Sequence, residues 1–219
     1  MIIAIFSDVH GNLPALETFI TSTIDQVDSY VCLGDVVNYG PWNDKCLEMV
    51  CTLPGIHFLE GNHERLFLGI DAVDEEIALV REFYEFSSKS FSRGDLISNL
   101  PITYQLGSFT CTHTIGESKK IYPDTQIEID KNYMIGHSHH QFRIQRLEKE
   151  IINCGSIGQN RKWIDSMNYA LMDTSSRVIT LCEGPYHFDA LIKEMENQGF
   201  PQNCTDYYLS KPRKYDQKS

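Results

Sequence analysis

The sequence lacks any long hydrophobic run. Its most extended apolar stretch is residues 1–6, against the roughly 20 residues a helix needs to cross a bilayer. No basic segment precedes that stretch and Asp8 follows it closely, so it does not read as a secretory leader. There is no C-x-x-C pair either. The seven cysteines, at 32, 46, 51, 111, 154, 182 and 204, are odd in number and scattered, which suits the reduced thiols of a cytoplasmic protein and not a disulfide framework. Basic residues are scarce: 19 Lys and Arg against 30 Asp and Glu leave a net charge of −11. Gripping a long polyanion takes clustered Lys and Arg that release counterions, so broad nucleic-acid binding is disfavoured. A small anionic substrate at a metal centre stays open, because bound cations supply the positive charge. With 42% hydrophobic and 22% charged residues over 219 positions, the chain has the composition of a globular protein with a core, which excludes disordered, collagen-like and coiled-coil classes.

What is present alternates between two periods. Residues 1–7 read as a buried strand that ends on Asp8. Leu13, Leu16, Ile20, Ile24 and Val27 then recur at helical spacing, with Pro14 in the first turn. A strand at 30–33, a helix at 43–53, a short strand at 56–59 and a helical pattern over 74–91 follow. The second half is richer in strands, at 104–113, 133–135, 142–147, 151–153, 169–172 and 178–181. A last helix, carried by Phe188, Leu191, Ile192 and Met195, closes at Gly199 and Pro201. The pattern predicts two sheets packed face to face with helices outside. One domain is expected over 1–202, followed by a polar, loosely held tail over 203–219.

Five short blocks place Asp, His or Asn where a strand should end: Asp8-Val9-His10-Gly11-Asn12, Gly34-Asp35, Gly61-Asn62-His63-Glu64, Thr112-His113 and Gly136-His137-Ser138-His139. Ligands collect at the carboxyl ends of strands in open α/β sheets, so blocks far apart in sequence can converge there. Seven of their side chains (Asp8, His10, Asp35, Asn62, His113, His137 and His139) are oxygen or imidazole donors. They suit first-row divalent metals such as Mn, Fe, Co, Ni or Zn. Seven donors are too many for one tetrahedral site and fit two ions sharing a carboxylate; none is a thiolate, which argues against a structural zinc. On a regular strand, positions i and i+2 share a face, so Asp8 with His10, or His137 with His139, could chelate one centre; where the strand breaks, the members of a pair can serve neighbouring ions.

In order and wording these blocks resemble the calcineurin-like metallophosphoesterases. The fuller stretches, from Ser7 through Leu16 and from Gly34 through Pro41, are similar to their small prokaryotic branch, which includes phosphodiesterases and diadenosine-tetraphosphatase-like proteins. The resemblance runs from Ile2 to Arg161. It implies an α/β fold, a four-layer αββα sandwich of two mixed sheets flanked by helices, and a two-metal hydrolase in which Mn is the favoured ion. By the resemblance, Asp8, His10, Asp35 and His139 would hold one metal and Asn62, His113 and His137 the other, with Asp35 bridging. His63 would be the catalytic histidine, acting on the leaving group while a hydroxide held between the ions attacks phosphorus. Arg161 lies in a stretch this branch places near the metals, and its planar fork suits a substrate phosphate; His140, next to the last block, is expected behind the ligands or at the pocket rim. The wording departs from the family at Asn38, where Gly is expected, and at Glu64, Thr114 and Cys154.

The expected activity is hydrolysis of a phosphodiester or phosphoanhydride in a small nucleotide-type substrate, in the cytoplasm, with no membrane partner and with homo-oligomer formation left open. Two other readings stand beside it. A protein Ser/Thr phosphatase, which the Gly61-Asn62-His63-Glu64 wording superficially favours, would follow its second Gly-Asp with an Asp-Arg-Gly segment whose arginine grips phosphate; here the segment is Val36-Val37-Asn38-Tyr39-Gly40, without that arginine. A non-catalytic scaffold would have no need of His63.

Overall fold

The computed structural model describes residues 1–116 and 120–215. Two five-stranded mixed sheets form its centre. The first is built from β1 (Ile2–Phe6), β2 (Ser29–Cys32), β3 (His57–Phe58), β9 (Ser166–Asp173) and β10 (Val178–Pro185), in the order β10-β9-β1-β2-β3. Its three N-terminal strands run parallel, and β9 and β10 are antiparallel additions. The second contains β4 (Thr103–Leu106), β5 (Phe109–Thr112), β6 (Asn132–Ile135), β7 (Phe142–Arg146) and β8 (Lys149–Asn153), in the order β4-β5-β6-β8-β7. The stretch 104–113, expected as one strand, is two, because Gly107 at φ 58° turns the chain between β4 and β5.

The alternation along β1 and β2 decides the layers. Ala4, Phe6, Tyr30 and Cys32 face a helical layer, while Ile3, Ile5, Val31 and Leu33 face the second sheet through Phe109, Cys111, Met134 and Ile152. The helical layer contains α1 (Leu13–Thr23), α2 (Asn43–Cys51), α4 (Ala78–Ser87) and α5 (Phe188–Gln198). A short α3 (Asn62–Phe67) follows β3. The outer face of the second sheet is covered differently: Ile115, Ile121, Ile127 and Ile129 pack there from a connection that forms no helix among the described residues.

Residues 203–215 correct the expectation of a loose tail. Gln202–Leu209 form α6, and its Cys204 and Tyr208 are fully buried in the same core as α4 and α5. Beyond it, Asp165 accepts the backbone N–H groups of Lys214 and Tyr215 at 2.8 Å each. The polar residues of 202–206 concealed a helix held by two aromatic rings. The boundary expected at 202 is therefore no break in the packing; residues 216–219 lie outside the described residues.

Candidate metal centre

The parallel strands of both sheets end at one edge, and the five blocks are the turns that leave them. β1 runs into Asp8 and His10, β2 into Asp35, β3 into Asn62 and His63, β5 into His113, and β6 into His137 and His139. Asp8, His10, Asp35, His137 and His139 all have positive φ, between 50° and 64°. Left-handed backbone costs a residue with a Cβ about 1–2 kcal/mol, so these side chains sit on strained turns and not on continuing strand. The turns are packed closely against one another. At Gly136 a Cβ would come within 2.6 Å of Asp8 Oδ2, and at Gly61 within 2.5 Å of the Asp35 nitrogen.

Two clusters result. In one, His139 Nε2 lies 3.1 Å from Asp8 Oδ1 and 3.1 Å from His10 Nε2. In the other, His113 Nε2 lies 3.1 Å from each of Asp35 Oδ2, Asn62 Oδ1 and His137 Nδ1. Asp35 stands between them: its Oδ2 is also 3.9 Å from His10 Nε2 and 3.8 Å from His63 Nε2. His137 and His139 thus fall in different clusters, whereas Asp8 and His10 share one.

The hydrogens explain why these contacts call for cations. His10, His113 and His139 each direct Nδ1 at a backbone carbonyl, of Val37, Leu33 and Gln159 respectively, at 2.8–3.1 Å. A carbonyl only accepts, so each Nδ1 carries a hydrogen and, in the neutral ring, each Nε2 turns a lone pair inward. The 3.1 Å approach of His10 Nε2 to His139 Nε2 is then two lone pairs face to face. Asp8 Oδ1 is buried with no hydrogen-bond partner among the described residues. Buried acceptors without donors are costly, and a divalent ion in each cluster would satisfy them, with the orienting carbonyls already in place. The donor set fits such ions.

Residues 1–194 match the family model described as calcineurin-like phosphoesterase. The chain belongs to that family. An uncharacterised protein of Methanocaldococcus jannaschii is 24% identical to this phosphoesterase over 229 residues, covering 91% of this chain and 94% of its own. The crystal structure of a metallophosphoesterase from Sphaerobacter thermophilus is 25% identical with a TM-score of 0.76, over 95% of this chain and 98% of the other. A protein of Pyrococcus horikoshii shares the fold with a TM-score of 0.81 at 14% identity, over 94% and 97% of the two chains. Membership makes the protein a metal-dependent phosphoric ester hydrolase. No described helix is long and apolar enough to cross a membrane.

Around the clusters, Glu64 clamps the loop that carries Asp35. Its carboxylate accepts N–H groups from Asp35 and Val36 at 2.7 Å and from Gly61 at 2.9 Å. Burial and the Asp35 charge nevertheless push Glu64 up to about 7. Tyr39, at φ 65°, stands edge-on to His10 and His63, with ring centroids 4.8 and 5.3 Å away. Burial pushes the Tyr39 hydroxyl up to about 12, with the charge of nearby Arg161 opposing the rise; Arg161 lies 5.7 Å from the Tyr207 ring, which Lys211 approaches to 4.4 Å. His140 is outside both clusters, half-buried beside Tyr122. Sequence reasoning assigned no role to Asn38, Tyr39, Tyr207 or Lys211. Tyr39 and Asn38 stand within quoted motif wording, but their partners are distant in sequence.

Without metal the cluster titrates in two directions. Burial holds His63 and His139 at about 3 and His137 at about 4. Burial also opposes a charged His113, but Asp35 at 3.1 Å outweighs it and raises that ring to about 10. The three depressed groups bind fewer protons folded than unfolded below their ordinary value near 6.5, so stability falls as pH drops from about 6.5 toward 4. His113 binds more protons folded, so its contribution is present below about 6.5 and disappears as pH rises toward 10. The metal-free phosphoesterase should therefore show its highest melting temperature near pH 6.5. A melting series in chelator across pH 4–10 checks this; a flat profile would place these rings in solvent-like surroundings.

Proposed function

We propose that this phosphoesterase hydrolyses a phosphodiester or phosphoanhydride bond of a small nucleotide-type substrate at a binuclear metal centre. The observation that carries the reading is Asp35 Oδ2, one carboxylate oxygen facing the inward nitrogens of both clusters, His10 on one side and His113 on the other. Asp8, His10, Asp35 and His139 would hold one ion, and Asp35, Asn62, His113 and His137 the other. The mixed oxygen and imidazole set suits Mn, with Fe, Co, Ni and Zn also accommodated. When bound, such ions neutralise phosphoryl charge and make water acidic enough to supply hydroxide near neutral pH.

The remaining groups hold and discriminate the substrate. His63 is next to the proposed ligand Asn62, and its Nε2 faces the same space as Asp35 Oδ2, which suits it to the leaving oxygen. Arg161 would grip a phosphate with its planar fork, and His140 with Tyr122 would line the rim. A charge-assisted hydrogen bond contributes roughly 1.5–3 kcal/mol, so Arg161→Ala should raise KM by about 10–100-fold with a smaller change in kcat. An Arg161→Ala protein with unchanged KM would remove Arg161 from the substrate site.

The reading is tested with Mn-loaded protein on an aryl phosphodiester, cyclic nucleotides, dinucleoside polyphosphates, an aryl phosphomonoester and phosphopeptides. Diesters or dinucleoside polyphosphates should give the highest kcat/KM. Preference for phosphopeptides would favour a protein phosphatase, and no turnover of any member would favour a scaffold.

A further inference from the structure

We propose that Asn38 is the positioning residue for His63, and that it fixes the ring hydrogen on Nε2, so that His63 meets the substrate as a hydrogen-bond donor and not as a proton-relaying acid. The inference rests on the reading of His63 as the group facing the leaving oxygen. It starts from the orientation of one buried amide.

Asn38 is fully buried at φ 72°, a backbone that Asn adopts more readily than most residues. Its own N–H donates to Asn43 Oδ1 at 2.8 Å. Its side-chain Oδ1 accepts the N–H of Tyr39, also at 2.8 Å. A backbone N–H can only donate, so that end of the amide is oxygen and the other end is the NH₂ group. This NH₂ lies 3.0 Å from His63 Nδ1. An amide nitrogen cannot accept, so Nδ1 must, and the ring hydrogen sits on Nε2. The main-chain N–H of His63 donates to Asp35 Oδ1 at 2.9 Å, and the ring packs edge-on against His10 and Tyr39. Its Nε2 is left facing the space beside Asp35 Oδ2.

The consequence follows from what Asn38 denies. A hydrogen on Nδ1 would set two N–H groups against each other across 3.0 Å. A ring that gives up its Nε2 hydrogen to a leaving oxygen must hold a second one at Nδ1, and this partner disfavours it. An aspartate at position 38 would do the opposite, accepting from Nδ1. His63 therefore stabilises charge on the departing oxygen through a preorganised donor, of a kind worth about 10²–10³ in rate. The leaving oxygen takes its proton from solvent.

Asn38→Asp is the decisive variant, because it keeps the shape, the tolerance for positive φ and an oxygen for the Tyr39 N–H. The first measurement is ¹⁵N NMR of histidine-labelled protein loaded with diamagnetic Zn. In the parent, His63 Nδ1 should give the signal of an unprotonated ring nitrogen and Nε2 that of a protonated one. In Asn38→Asp the hydrogen should appear on Nδ1, metal content should be unchanged, and kcat on an alkyl-leaving-group diester should fall tenfold or more with little change in KM. A protonated Nδ1 in the parent would overturn the proposal, as would an Asn38→Asp protein with unchanged or higher kcat. Failure of the underlying reading is separate: His63→Ala would then keep full activity whichever nitrogen carries the hydrogen.

Discussion

Asp35→Asn is expected to lower turnover by about a thousandfold while leaving the protein folded. A metal ion's share of transition-state charge stabilisation is several kcal/mol, and about 4 kcal/mol corresponds to a factor of a thousand. Asp35 Oδ2 lies within 4 Å of the inward nitrogens of His10, His63 and His113, so neutralising it weakens both clusters at once. The fold should tolerate the change. The loop is held through backbone N–H groups by Glu64, and an asparagine oxygen can still accept the His63 N–H that Asp35 Oδ1 receives at 2.9 Å. Metal analysis beside kcat checks the cause: fewer than two equivalents should remain bound. An Asp35→Asn protein that binds two ions as tightly as the parent would contradict the shared carboxylate.

His63→Ala should keep both metals and lose about 10²–10³ in kcat, the usual worth of a preorganised donor at an oxygen that gains charge. The loss should be largest for alkyl or nucleoside leaving groups and shrink for nitrophenolate, which departs readily unaided. His113→Ala and His137→Ala should behave differently, weakening one metal and slowing all substrates alike, with partial rescue by excess Mn. The readout is kcat for two leaving groups of different pKa together with metal content. Equal slowing of both substrates by His63→Ala, or loss of metal, would contradict a role at the leaving group.

The sequence made most of this centre legible because its residues mark strand ends. Each block is a short polar interruption after an apolar run, and five in a fixed order identify a family where one alone would be only a turn. The two-sheet α/β architecture followed from the same alternation. What stayed hidden depends on long-range contact. Nothing local ties Asn38 to His63, 25 residues on, so Asn38 registered only as unusual wording. Spacing alone left open whether each i, i+2 pair shares a centre: His137 and His139 divide between the clusters, whereas Asp8 and His10, also at positive φ, stay in one. The helix at 202–209 was missed because it buries only Cys204, Thr205 and Tyr208, and the Tyr208 ring meets Phe83 and Phe188 from other parts of the chain. The helical pattern over 74–91 was real but too long. Regular helix covers Ala78–Ser87, and Val73–Glu75 and Ser88–Ser90 are tighter single turns.

The central claim is that two ions in these two clusters make the phosphoesterase active, and a reconstitution titration tests it most directly. Metal-free protein prepared with chelator is titrated with Mn while bound metal and hydrolysis of an aryl phosphodiester are followed together. The account predicts no activity without metal and a rise that saturates at two equivalents per chain. Undiminished activity in protein with no metal above background, or saturation at a single equivalent, would contradict it.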